Sequence, residues 1–232
     1  MTVEQTEWDK VRGVWEVIDR LRGEGGCPWD RKQTPESVQA YLIEEAHEAA
    51  AAVRAEDERE VCEELGDLLF MVLFMTHLYN ERDKFRISDV CDAVVEKMIR
   101  RHPHVFGDVV VHSTEEVKGN WEKIKAKEKA GKENTASPLP DTLPALMRAH
   151  RMVARMAHKD SRWNDFDAQK DTCALQLKSL RETLEGNGPV DSKTFGKALF
   201  LLANLARLKD LRAEECLQEW MLDMERSPVE ET

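Results

Sequence analysis

Residues 64–74 read ELGDLLFMVLF. Two carboxylates, Glu64 and Asp67, stand at the mouth of the most apolar run in the chain, where a buried charge is costly unless something neutralises it. The run itself decides the fold class. Here and almost everywhere else apolar residues recur at three- and four-residue spacing, and no stretch alternates β-branched with polar residues, so the pattern predicts an all-α protein. The expected helices cover 6–22, 34–54, 57–80, 87–101, 114–129, 139–157, 169–185, 192–209 and 213–226. Two of the starts carry capping signals: Thr34 is followed by Pro35, and Ser113 has Glu116 three residues on. Gly and Pro interrupt the pattern in RGEGGCPWDRKQTP (22–35) and RRHPHVFGD (100–108), which read as ordered loops.

The polar stretch KEKAGKENTASPLPD (127–141) is the best linker in the sequence. It suggests a first domain over 1–130, a linker over 131–141 and a second domain over 142–232. The two halves look like copies of one helical bundle. ELGDLLFMVLFMTHL (64–78) aligns with TFGKALFLLANLARL (194–208), and RISDVCDAVVEKMIRR (86–101) with RAEECLQEWMLDMERS (212–227). The apolar pattern is shared and the charges are not: Glu64 faces Thr194, Asp67 faces Lys197, and Lys97 faces Asp223.

Composition narrows the function. With 232 residues, 41% hydrophobic and 34% charged, the chain can bury one sizeable core or two small ones. No apolar stretch reaches the roughly 20 residues of a membrane span, and MTVEQTEWDKVRG lacks a signal-peptide core, so a cytoplasmic protein without a membrane partner is expected. The five cysteines are odd in number and show no CxxC spacing, which argues against a disulfide framework or a zinc site. A net charge of -11 argues against nucleic-acid binding, while leaving polyphosphates accessible through bridging cations.

EEAHE (44–48) and EELGD (63–67) lie on consecutive expected helices joined by a turn around Glu56. In an antiparallel helical hairpin, residues equidistant from the turn share a level, which sets Glu45 opposite Asp67 and Glu48 opposite Glu64. At about 100° per residue, Glu45 falls inside the apolar stripe of its helix with Glu48 at the edge, while Glu64 and Asp67 share the stripe of Met71, Phe74 and Leu78. Four acids are therefore expected to converge and face inward. Like charges so close call for a cation, and hard oxygen donors on stiff helices select Mg²⁺, with Mn²⁺ also accommodated. Glu44-x-x-His47 has the spacing of a di-iron ligand pair, but ELGD stands where a second such pair would be needed, and His47 lies roughly 160° around the helix from Glu45. His47 reads as a surface residue.

A Mg²⁺ held by carboxylates keeps positions open for phosphate oxygens. Lys97, Arg100 and Arg101 end a helix as a group suited to gripping phosphate, or simply to complementing the helix dipole. Trp29 offers a stacking surface for a base with Asp30 or Lys32 beside it, or else packs between helices. His102 and His104, flanked by Pro103 and Phe106, read as parts of a structured turn.

GGCPWDRKQT, YLIEEAHEAAAAV, EELGDLLFMVLF and KMIRRHPHVFGD closely resemble the MazG family of nucleoside triphosphate pyrophosphohydrolases in its tandem, two-domain all-helical form. In the first half the likeness runs on through VKGNWEKIKAKEK into LPALMRAHRM. The resemblance implies hydrolysis of an NTP to NMP and pyrophosphate, with Mg²⁺ held by an EExxE and an ExxD motif. Those motifs fall on Glu45, Glu48, Glu64 and Asp67, with Glu44 as a further member, and Lys97 and Arg101 match the family's basic phosphate contacts. Glu44 or Glu48 is then expected to orient the attacking water. The second half has no EExxE in CALQLKSLRETLEG and reads Thr194 to Lys197 at the ExxD position, so it resembles the fold without its metal site. Catalysis is expected in the first copy, with the second serving packing and assembly into a homodimer or higher homo-oligomer. The competing class is a nucleotide-binding regulatory member of the same fold.

Overall fold

Thr34 starts the central hairpin. Its hydroxyl accepts the Ser37 N–H at 3.3 Å while the Ser37 hydroxyl accepts the Thr34 N–H at 2.9 Å, a reciprocal cap with Pro35 at the first helical position. The resulting helix, α2, spans Pro35–Ala55, following α1 over Gln5–Arg22. It stops at Glu56, whose backbone is left-handed at φ 57° and ψ 27°. Asp57 then caps the next helix by accepting the Arg59 and Glu60 N–H groups at 3.0 and 3.1 Å. Two residues thus reverse the chain into α3, Glu58–Asn80.

The computed structural model describes residues 5–130, 139–186 and 191–226. All regular structure among them is helical: α1 to α3 are followed by α4 (Ile87–Arg101), α5 (Pro103–Phe106), α6 (Thr114–Ala130), α7 (Ala145–Ala157), α8 (Phe166–Glu185), α9 (Ser192–Leu208) and α10 (Ala213–Arg226). Short 3₁₀ turns cover Asp30–Lys32 and Ser161–Asn164. The chain forms two compact units, Met1–Gly131 and Lys132–Thr232. Most of the expected linker, residues 131–138, lies outside the described residues.

In the first unit Ile18 of α1, Val38 of α2 and Leu73, Phe74 and Leu78 of α3 form the core, with Val14, Trp15, Phe70 and Met71 packed against it. Apolar burial of this kind supplies the main stabilising term. Two polar ties fasten α1 to α3: His77 Nε2 lies 2.6 Å from Asp19 Oδ1, and Arg22 pairs with Glu81 at 2.6 Å. The second unit repeats the order helix, 3₁₀ turn, helical hairpin, helix, with Trp29 just before the first 3₁₀ turn and Trp163 inside the second. Its buried set combines Val153, Cys173, Ala198, Leu201 and Ala203 with the polar Gln169 and Asn204.

Several expectations need correction. α7 begins at Ala145 rather than 139, because Pro140 and Pro144 interrupt the pattern and the residue before each proline is pushed out of the helical region. α8 begins at Phe166 rather than 169, since the Asp165 carboxylate caps the Ala168 N–H at 3.1 Å. The stretch after α4 contains the short helix α5 where a loop was expected. Glu116 does pair with Ser113, donating its N–H to the Ser113 hydroxyl at 3.2 Å, but its carboxylate takes the His112 N–H. The five cysteines are free thiols, and no helix among the described residues is long and apolar enough to cross a membrane.

Glu56 is the one side-chain-bearing residue of the α2–α3 turn held at positive φ. Glu56→Gly is expected to stabilise the first unit by about 0.5–1 kcal/mol, because glycine meets no Cβ penalty there, and Glu56→Val to destabilise it. Thermal midpoints should rank Gly above Glu above Val.

Candidate functional site

α1 ends in a tight loop that presents Trp29. Gly25 takes φ +73°, and at Gly26 a Cβ would sit 2.3 Å from the Leu21 carbonyl oxygen, so the GEGG sequence is what lets the chain turn back on the helix. The Cys27 N–H donates to Leu21 O at 2.8 Å, and the Arg31, Lys32 and Gln33 N–H groups close successive turns onto Cys27, Trp29 and Asp30. Gln33 is held in turn, its amide donating to Trp29 O at 3.2 Å and its Oε1 accepting the Ser37 hydroxyl at 2.6 Å. Trp29 is left 56% exposed, edge-on to Tyr41 of α2 with ring centroids 6.1 Å apart.

This loop walls a cleft of about 230 Å³ between α2 and α3. Trp29, Tyr41, Phe70 and Phe74 give it apolar faces, Asp30 and Gln33 line it from the loop, and Glu45 and Asp67 stand at its acidic side. Such a lining suits a flat, partly polar ring next to a cation site.

The hairpin brings three of the four acids together. Carboxylate oxygens of Glu45, Glu48 and Glu64 all fall within 4.8 Å of one another. A six-coordinate Mg²⁺ with oxygens at about 2.1 Å spaces its ligands roughly 3–4 Å apart. The three acids therefore stand close to the separation one ion requires, and the donor set is all hard oxygen. Partial burial, followed by the charges of Asp67, Glu48, Glu64 and Glu44, pushes the Glu45 carboxyl above the ordinary range. Burial and then Glu48 and Asp67 do the same to Glu64. The charges that raise these two groups all belong to other carboxylates, a crowding of like charge that a cation would offset.

Two details differ from the expected picture. Asp67 lines the cleft beside Glu45 but is not among the three clustered carboxylates. Asp67 and Glu48 are also exposed rather than turned inward; of the four acids only Glu45 and Glu64 are half-buried. Glu44 is exposed and outside the cluster, and His47 is exposed as expected.

The basic end of α4 is partly occupied. Arg100 Nε donates to Glu128 of α6 at 2.8 Å, and Arg101 Nη2 donates to the other oxygen at 2.7 Å. The hydrogen bonds from Arg101 and then Arg100 hold the Glu128 carboxyl far down, at about 2. Lys97, one turn earlier, is half-buried and has no partner among the described residues. Arg101 also lies over the Trp121 ring at 5.7 Å, and His102 meets the same ring edge-on while its Nδ1 lies 2.7 Å from Met98 O. His102 and His104 thus belong to a structured turn, as expected.

Sequence spacing did not reveal the cleft walls on Tyr41, Phe70 and Phe74 as a binding surface, because each also fits an ordinary core stripe. Nor did it reveal Glu128 or the Arg22–Glu81 pair, whose partners are 28 and 59 residues away. In the second unit the alignment places Asn204 at the position of Phe74. Asn204 is fully buried and donates to Gln169 Oε1 at 3.0 Å, while Arg207 donates to Asn204 and to Trp163 O at 3.0 and 2.8 Å. A polar network there binds the Trp163 turn to α9, and Lys197 replaces the acid.

Residues 33–106 match the family described as the MazG nucleotide pyrophosphohydrolase domain. A nucleoside triphosphate pyrophosphohydrolase of Escherichia coli (strain K12) is 35% identical over 210 residues, covering 88% of this chain and 80% of its own. A nucleoside triphosphate pyrophosphohydrolase/pyrophosphatase MazG of Thermotoga maritima is 36% identical over 204 residues, covering 88% and 78%. The crystal structure of a mazG-related protein from Thermotoga maritima is 29% identical, covering 50% of this chain and 98% of that one at a TM-score of 0.44. With the matched segment spanning the acidic hairpin, and relatives aligned over most of both lengths, this all-α chain belongs to the MazG family of nucleoside triphosphate pyrophosphohydrolases.

Proposed function

We propose that the protein hydrolyses nucleoside or deoxynucleoside triphosphates to the monophosphate and pyrophosphate in a Mg²⁺-dependent reaction, with Mn²⁺ able to substitute, and that the first unit is the seat of catalysis. The observation that carries this reading is the junction of the carboxylate group Glu45, Glu48 and Glu64 with the aromatic cleft of Trp29 and Tyr41. A triphosphate needs the first and its nucleoside needs the second. The family membership of the chain and the names of its relatives support the reaction class.

Glu45, Glu48, Glu64 and Asp67 would hold the divalent ion, which when bound neutralises phosphate oxygens and acidifies a coordinated water. The chain's own groups do the rest. Glu48, exposed at the edge of the cluster, would accept a hydrogen bond and a proton from the attacking water, with Glu44 one turn earlier as the second acid able to orient it. Trp29 and Tyr41 would stack on the base and hold the nucleoside in register with the acids. Lys97 and Arg101 would take up charge on the departing pyrophosphate. For Arg101 that means exchanging the Glu128 carboxylate for a phosphate oxygen, a swap between two anions in one guanidinium fork.

Incubation with the eight common NTPs and dNTPs is expected to yield pyrophosphate and not orthophosphate. Glu48→Ala and Asp67→Ala should each lower that release by about 100-fold or more at saturating Mg²⁺ while helical circular dichroism stays unchanged, since both side chains are exposed. Retained turnover in both variants would overturn the assignment. A thermal scan gives an independent reading: without metal, Glu45→Gln should raise the midpoint by removing one of the crowded like charges. Mg²⁺ at 100 times its dissociation constant should stabilise the wild type by about 2.7 kcal/mol. Glu45→Gln should lose most of that response.

A further inference from the structure

The geometry points to Arg22 as the positioning residue that sets the nucleoside wall of the cleft, an inference that rests on the function proposed above. Arg22 closes α1, and its side chain is only 8% exposed. Its Nε and Nη2 donate to the two carboxylate oxygens of Glu81 at 2.9 and 2.6 Å, a paired fork that fixes the plane of the guanidinium. Its remaining Nη1 donates to the backbone carbonyl of Asp30, and to that of Gln33 at 3.4 Å. The guanidinium carbon lies 5.4 Å from the centroid of the Phe74 ring, which is 2% exposed and lines the cleft. One side chain therefore joins both walls: it grips the loop through the carbonyls of the first residue of the Asp30–Lys32 turn and of the residue after it, and it rests on the aromatic floor contributed by α3.

The loop's other polar ties lie at its ends, where the Cys27 N–H reaches Leu21 O of α1 and Gln33 Oε1 takes the Ser37 hydroxyl of α2. Between them its hydrogen bonds close short turns on themselves, and Trp29, edge-on to Tyr41, is more than half exposed. Without the two guanidinium bonds, the Asp30 and Gln33 carbonyls lose their charged donor and the Trp29–Gln33 segment loses its tie to α3. The acids sit on the opposite side of the cleft, on α2 and α3, whose register comes from the Glu56–Asp57 turn and the core rather than from Arg22. Loosening the loop should therefore weaken recognition of the nucleoside and spare the part of the site that handles phosphate. Glu81 is the second member of the clamp, with its carboxyl held low by Arg22 and then by His77 and Arg82.

Arg22→Met keeps the stem over Phe74 and removes the fork. It is expected to raise KM for the preferred nucleoside triphosphate about tenfold or more while changing kcat by less than about threefold. The constant for inhibition by inorganic tripolyphosphate, which has no base, should stay within about twofold of wild type. Hydrogen exchange at the Arg31, Lys32 and Gln33 amides should speed up, and α2 and α3 should stay protected. Arg22→Lys, which retains charge but not the fork, should show the same split at smaller size and carries the test if Arg22→Met does not fold. An unchanged KM, or a tripolyphosphate constant that rises in parallel with KM, overturns the clamp and leaves the proposed reaction standing. A wild type that releases no pyrophosphate from any nucleotide overturns the reaction itself.

Discussion

The crowding of like charge between α2 and α3 is the constraint on which the site depends. A two-residue turn fixes the register of the hairpin, and that register brings Glu45, Glu48 and Glu64 together. Nothing local favours this. Each acid raises the cost of ionising its neighbours, as the upward displacement of Glu45 and Glu64 shows. The opposing term is apolar: Val38, Leu73, Phe74 and Leu78 join Ile18 in a core that keeps the two helices in contact whatever their charges prefer. The core thus holds the carboxylates together against their mutual repulsion, an arrangement that the divalent cation proposed above would relieve.

The opposite wall of the cleft solves a different problem. A loop carrying an exposed tryptophan cannot be secured by burial, so it is secured by polar ties to groups that are themselves fixed. Arg22 reaches the Asp30 and Gln33 carbonyls from the end of α1, and the capping residues Thr34 and Ser37 lock the exit of the loop into α2. His77 and Asp19 brace the same end of α1 against α3. Helix geometry serves the acids; backbone carbonyls caught by one guanidinium serve the ring-binding wall.

How much of this the sequence disclosed follows from which forces are periodic. The three- and four-residue spacing of apolar positions located every long helix among the described residues, and the turn at Glu56 together with the spacing of EEAHE and EELGD placed the acids at common levels. Helix starts failed where proline or a side-chain cap overrode the apolar pattern, at Ala145 and Phe166. Burial of individual acids was also misjudged, because a stripe gives direction around a helix and says nothing of where a cleft opens; Asp67 points along the stripe and still meets solvent. Arg22–Glu81 and Arg101–Glu128 were invisible for a further reason. Long-range ion pairs leave no period, and each partner read alone is an ordinary helix-end charge.

The second unit shows that scaffold and site are separable. It keeps the helix order and the Trp-bearing turn, with Trp163 edge-on to Phe200 at 6.0 Å, yet Thr194 and Lys197 stand at the positions of Glu64 and Asp67. No acidic cluster is found among the described residues of this unit, and its polar groups turn inward. Asn204 takes the place of Phe74, and its amide, Gln169 and Arg207 satisfy one another and the Trp163 carbonyl. A buried polar network of this sort is tolerated because its members are paired, and it fastens the tryptophan turn directly to α9. In the first unit that turn is held from outside by Arg22, which leaves Phe74 free to floor the cleft. The two copies therefore use the same backbone plan with opposite priorities: one fills the space behind its tryptophan with hydrogen bonds, and the other keeps an open cleft next to a group of clustered carboxylates.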